Sequence, residues 1–170
     1  MPQKEFKKEL LSVEAVFEFL QNIISIIQKV NSKVQIIFTV SPVRHIKDGF
    51  VENTQSKAHL ITAIHQIVKQ ENDAYYFPSY EIMMDELRDY RFYNDDMLHP
   101  NNVAVNYIWN KFKGVWVSSE ALKTMKDVDV IQKGLLHKPI NPNSEAHQKF
   151  LLNINKKQIQ LEKKYKQILF

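Results

Sequence analysis

The chain has 170 residues and a formal net charge of +4; 44% of its residues are hydrophobic and 25% are charged. This composition is typical of one globular domain and excludes a disordered chain. The absence of cysteine excludes disulfide frameworks, thiolate zinc sites and a thiol nucleophile within these residues, and the three glycines cannot form a G-x-G-x-x-G phosphate loop.

The first predicted elements are a helix and a buried strand. Ser12 is placed to cap a helix over 13–29, where apolar residues recur at helical spacing. The β-branched apolar run 34–40 then indicates a strand that is buried on both faces of a parallel sheet. Pro42 ends this strand, because proline cannot continue the hydrogen-bond ladder.

A second helix and a second strand follow. After a polar loop over 43–53, the spacing predicts a helix over 54–70. Its inner face is assigned to five apolar residues: Ala58, Ile61, Ile64, Ile67 and Val68. Residues 74–77 form a brief aromatic strand, and Ser79 is placed to cap a short helix.

The rest of the chain is predicted to be helical. Pro100 suits the first position of a helix over 101–115. We place a domain boundary after it, with residues 1–117 forming an α/β domain and residues 118–170 a helical C-terminal extension.

The element order predicts an α/β fold with parallel strands and right-handed crossovers. Two strands are few for such a sheet, since they leave sheet edges open. The pattern is that of the second half of a doubly wound domain whose first strands are missing.

Asp96 and His99 form the first candidate site. A carboxylate three residues before a histidine can orient the imidazole while the histidine acts as general base, as in hydrolase triads. The alternative is a turn-closing aspartate beside an exposed histidine.

The segment after the first strand is the second candidate. Arg44 could hold a carboxylate or phosphate, and His45 could bond a substrate, because ligands bind beyond the carboxyl ends of parallel strands. Ser41 is interpreted as a strand-end residue rather than a nucleophile, since Pro42 lacks the backbone N–H that an oxyanion hole would use.

Metal and nucleic-acid binding are weaker alternatives. Nitrogen and oxygen ligands are offered by His45, His99, Asp48, Asp95 and Asp96, but no pair has helical ligand spacing, so no metal or cofactor is predicted. The loop 88–93 mixes arginines with aromatics, yet the surrounding acids favour buried packing with internal ion pairs. The lysines of the last helix are interpreted as a solvated face, with an anionic partner as the alternative.

Neither a membrane span nor a signal peptide is predicted. The longest apolar runs are too short to cross a bilayer, and the first residues lack an apolar segment. The sequence therefore predicts a cytoplasmic protein without membrane contact.

Three segments resemble the GSCFA family: residues 38–50 (FTVSPVRHIKDGF), 76–93 (YFPSYEIMMDELRDYRFY) and 95–100 (DDMLHP). The resemblance covers about residues 9–116, and 141–150 are also similar. Members of this bacterial family resemble SGNH, or GDSL-like, hydrolases. The resemblance implies a flavodoxin-like three-layer α/β/α fold and hydrolysis of an ester or acylated saccharide, with Asp96 and His99 as orienter and general base.

The chain departs from that pattern at the nucleophile. It contains no Gly-Ser-Cys-Phe-Ala, no Gly-Asp-Ser and no Gly-x-Asn-Asp block. We therefore expect a fragment of a GSCFA-family hydrolase. The alternatives are a non-catalytic chain that pairs with a second copy or another polypeptide at its open sheet edge, and an anion-binding protein that uses its lysine-rich terminal helix.

Overall fold

The computed structural model describes residues 7–168 and 170. The chain divides into two compact units, Met1–Phe112 and Lys113–Phe170. The domain boundary after residue 117 stays a prediction.

The first unit begins with helix α1, Val13–Val30. The hydroxyl of Ser12 accepts a hydrogen bond from the Ala15 N–H at 3.2 Å, which confirms the predicted cap. At the other end the Asn31 N–H donates to the Ile27 carbonyl oxygen and closes the last turn.

A β-α-β unit follows, consisting of strand β1 (Ile36–Phe38), helix α2 (Phe50–Gln70) and strand β2 (Ala74–Tyr76). The strands are parallel, with Ile36 opposite Ala74 and Phe38 opposite Tyr76. The described residues thus form a mixed α/β unit around a two-stranded parallel sheet. Both strands are shorter than the predicted ranges 34–40 and 74–77. Pro78, two residues after β2, has no N–H with which to extend the ladder.

Helix α2 begins four residues earlier than predicted. The segment before it contains a 3-10 turn, Ile46–Asp48, and Gly49 then turns the chain with φ of 112°. The inner face also differs from the prediction, since Ala58 is exposed and Lys57 is buried.

Helix α3, Ser79–Glu81, continues into a π-helical turn, Ile82–Glu86. The prediction that Ser79 caps this helix is wrong, because Pro78 holds the cap position. The Ser79 hydroxyl instead donates to the Val40 carbonyl oxygen at 2.7 Å and lies 2.6 Å from the Thr39 hydroxyl. The serine therefore ties α3 to the chain that leaves β1.

After a second 3-10 turn, Tyr90–Phe92, helix α4 spans Asn102–Trp116. The prediction that Pro100 is its first residue is wrong, since Pro100 forms an antiparallel bridge with Tyr93. Asn101 caps the helix instead: its Oδ1 accepts from two N–H groups, those of Val103 and Ala104.

Two helices share one face of the sheet. Ile24 of α1, Ile67 of α2 and Ala74 of β2 are buried together. Partly buried side chains surround them: Phe17, Leu20, Ile36, Phe38 and Val68. This cluster fixes the position of α2 and so of the loop that enters it.

The second unit is a helical pair, α5 (Ser119–Leu136) and α6 (Glu145–Lys164). Three buried residues hold it together: Ile131, Ile154 and Leu161. Gly134 allows the close approach, because a Cβ at that position would lie 2.5 Å from Cδ1 of Ile154. Within the described ranges, no helix combines the length and apolarity needed to cross a membrane.

Candidate functional site

Asp96 and His99 lie in a tight turn between two paired backbone segments. The Asn94 N–H donates to the His99 carbonyl oxygen at 2.8 Å, and the Met97 N–H donates to the Asn94 carbonyl oxygen at 2.9 Å. Met97 takes the left-handed conformation, with φ of 58°. The turn therefore brings Asp96 and His99, only three residues apart, onto the same side.

Asp96 organises this turn with both of its carboxylate oxygens. Oδ1 accepts from the backbone N–H groups of Leu98 at 2.8 Å and His99 at 3.0 Å, while Oδ2 lies 2.7 Å from His99 Nδ1. These three hydrogen bonds, the two backbone ones first, lower the pKa of Asp96 from 3.8 to about 2. The carboxylate is therefore ionised over the whole neutral range.

The ionised carboxylate defines the chemistry of His99. It can only accept a hydrogen bond, so in a neutral imidazole Nδ1 carries the proton and Nε2 has the free lone pair. The His99 side chain is 55% exposed, so this lone pair is open to a reactant or to water. The arrangement has the hydrogen bonding required of an orienting carboxylate and a general base.

Arg44 contacts the same turn from the loop after β1. Its Nη1 donates to the Met97 carbonyl oxygen at 2.9 Å, and its backbone N–H donates to the Leu98 carbonyl oxygen at 3.2 Å. The guanidinium carbon also lies 5.7 Å from the centroid of the Phe50 ring. No carboxylate of the described residues pairs with it, so its remaining N–H groups are available to an anionic group.

His45 lies next to Arg44 in sequence but faces a different space. His45 lines a cavity of about 770 Å³ together with Ser41, whereas Asp96 and His99 do not line that cavity. The Ser41 hydroxyl accepts from the Val43 N–H at 3.2 Å, as in a strand-end turn. The structure thus brings Arg44, but not His45, to the predicted dyad.

Lys57 is a candidate that the sequence analysis missed. Only 6% of its surface is exposed, and its ammonium group donates to the Ser41 carbonyl oxygen at 2.5 Å. The signal was present, because Lys57 precedes Ile61 and Ile64 by four and seven residues and so shares their face of α2. Lys57 was left out of the predicted inner face because only apolar residues were used to find it.

The metal site and the loop 88–93 were the weaker candidates. Within the described part of the chain, no three metal-ligating side chains are close enough together to hold an ion. The predicted buried packing of the loop 88–93 is wrong, since its residues from Arg88 to Arg91 are exposed, although Arg88 does pair with Asp85 at 2.7 Å.

We expect the Asp96 carboxyl carbon to titrate by NMR with a midpoint near pH 2, well below its ordinary value of 3.8. A depressed folded pKa means that the ionised carboxylate stabilises the fold above pH 3.8 and that this contribution is lost between about 3.8 and 2. In His99→Ala the midpoint should rise only partway, because both backbone N–H donors remain. A midpoint near 3.8 in the unsubstituted chain would contradict the hydrogen bonding described above.

Comparison with known proteins adds two matches. A family model described as the GSCFA family matches residues 1–112, and one described as GSCFA domain protein, C-terminal domain, matches residues 128–170. Neither the curated proteins nor the solved structures provide a match.

Proposed function

Because this chain belongs to the GSCFA family, we propose that its Asp96–His99 pair is the orienter and general base of an ester-hydrolase site. The proposed substrate is an ester or an acylated saccharide. The proposed fold of the complete site is flavodoxin-like, with helices on both faces of a parallel sheet that includes β1 and β2. The two-stranded parallel sheet and its α2 crossover are compatible with part of such a fold.

The observation that carries the proposal is the 2.7 Å contact between Asp96 Oδ2 and His99 Nδ1. It leaves Nε2 as the nitrogen that would remove a proton from the attacking group, and the carboxylate would stabilise the imidazolium that forms. Asp96 is held by two backbone N–H groups, so the orienting carboxylate is fixed before any substrate arrives.

Arg44 is the proposed substrate-binding residue of this site. Its guanidinium is anchored on the Met97 carbonyl oxygen, one residue from Asp96, so an anionic or carbonyl group bound there would lie beside the dyad. His45 is retained as a second substrate-binding candidate, as a residue that lines the neighbouring cavity.

The proposal requires a nucleophile and oxyanion donors from a segment other than these 170 residues. The other edge of β1 is where such a segment would add, because among the described residues β1 pairs only with β2. The same observation supports the alternative, in which the edge pairs with another polypeptide and no reaction follows.

The test is hydrolysis of p-nitrophenyl acetate by this chain alone, by a polypeptide that carries a Gly-Ser-Cys-Phe-Ala block alone, and by the two produced together. We expect turnover only when both are present, because the base and the nucleophile are then in one site. Association without turnover would favour the non-catalytic alternative, and the absence of both association and turnover would refute both.

A further inference from the structure

Lys57 is the only charged side chain that is buried in the described part of the chain. Its ammonium group has three N–H donors, and one of them bonds the Ser41 carbonyl oxygen. The other protein group near it is the face of the Tyr80 ring, whose centroid lies 5.7 Å from Nζ. Among the described residues no carboxylate pairs with this ammonium, which is unusual because a buried charge is normally paired.

The cavity beside Lys57 contains further hydrogen-bond donors that have no acceptor among the described residues. One face of α2 lines it with Asn53, Ser56, Lys57, Leu60 and Ile64. The Oδ1 of Asn53 accepts from the His45 N–H, which orients the amide but leaves its NH₂ group unbonded by the described residues. The hydroxyl of Ser56 likewise has no partner there. These groups can therefore donate to a ligand that carries acceptor atoms.

The rest of the lining limits the type of ligand. Val40, Leu60 and Ile64 place apolar side chains along the cavity close to the donors, and Leu60 is the partly exposed one of the three. The exposed rim carries acidic residues, Glu9 and Glu52, while Asp48 is paired with Lys8 at 2.5 Å. An acidic rim disfavours polyanions such as nucleic acid or phosphate esters, whereas a single negative charge can still reach Lys57.

From these contacts we infer that the cavity at the carboxyl end of β1 binds a small apolar monocarboxylate, whose carboxylate is held by Lys57 and Ser56 and whose hydrocarbon part packs on Leu60 and Ile64. Burial also lowers the pKa of the Lys57 amine, and an anionic ligand would offset this by favouring the charged form. The inference stands on the cavity and does not depend on the proposed hydrolysis.

The test is a titration of the full chain with butyrate, followed by amide NMR and calorimetry, with butanol as the uncharged probe and inorganic phosphate as the polyanion. We expect saturable binding of butyrate, with Kd in the millimolar range, and shifts at the end of β1 and on the cavity face of α2. Butanol and phosphate should bind at least several-fold more weakly.

Two lysine variants distinguish the effect of the Lys57 ammonium on binding from the effect of general surface charge. Lys57→Met should weaken butyrate binding by roughly tenfold or more, because a charge-assisted hydrogen bond is lost. Lys69→Met, which removes an exposed charge from the same helix, should leave the affinity unchanged. Ser56→Ala, which keeps the ammonium, should weaken binding severalfold.

Three results would overturn the inference: no saturable binding of butyrate, equal affinity in Lys57→Met and the unsubstituted chain, or shifts confined to residues outside the cavity. The location of the shifts decides the question even where Lys57→Met fails to fold. If any of these three results is found, the role of Lys57 is limited to holding the Ser41 carbonyl group.

Discussion

The His99→Ala variant is expected to lower kcat/KM for ester hydrolysis by roughly 10²- to 10⁴-fold in the combined preparation described above, the range lost when a general base is removed. The reason is that Nε2 is the nitrogen left free by the Asp96 contact. The measurement is the initial rate of p-nitrophenolate release from p-nitrophenyl acetate.

A matched control uses His137→Ala, which removes an exposed histidine of the second unit and should leave the rate unchanged. Asp96→Asn provides a second variant with an intact turn, because an amide oxygen can still accept from the Leu98 and His99 N–H groups. It should also lose most of the activity, since an amide favours the wrong tautomer of His99. Equal rates for His99→Ala and His137→Ala would exclude His99 as the base.

The Ile67→Ala variant is expected to lower the free energy of unfolding by about 2–5 kcal/mol, the range for removing a buried isoleucine side chain. Ile67 is 0% exposed and packs between α1 and β2, so the cavity left behind lies at the centre of the cluster that holds the sheet. The measurement is urea denaturation followed by circular dichroism, with the midpoint falling at an unchanged slope.

The control for Ile67→Ala is Ile26→Ala. It removes the same atoms at a surface position, because Ile26 of α1 is 62% exposed. We expect this control to cost well under about 1 kcal/mol. Similar midpoints for Ile67→Ala and Ile26→Ala would mean that α1, α2 and β2 do not pack as described.

Periodicity and capping predicted most of the helices, because both are local properties. Ser12 caps α1 as expected, and the apolar spacing of 13–29 matches the helix to within one residue. The prediction failed where a distant partner decides the hydrogen bonding. Ser79 bonds the Val40 carbonyl oxygen instead of capping its own helix. Pro100 pairs with Tyr93 across the turn, so α4 starts after Asn101, although the Asn101 cap is itself local. Sequence order alone carries no information about such partners.

The same distinction applies to the site. The Asp96–His99 contact was predictable because the residues are three positions apart, and the approach of Arg44 followed from its place after a parallel strand. The buried Lys57 was not predicted, because a lysine in a helix is most often on the surface. Its burial depends on the Ser41 carbonyl group, which only the folded chain brings near.

The compactness of the Asp96 turn has a consequence for how the protein folds. All three hydrogen bonds to this carboxylate close loops of two or three residues, so they carry little entropic cost and can form early. The geometry within the dyad therefore depends little on contacts with distant parts of the chain. The contacts of Arg44 with Met97 and Leu98 join residues more than fifty positions apart, so closing that loop carries a larger entropic cost. The geometry within the dyad thus rests on local contacts, whereas its place beside the loop after β1 rests on Arg44.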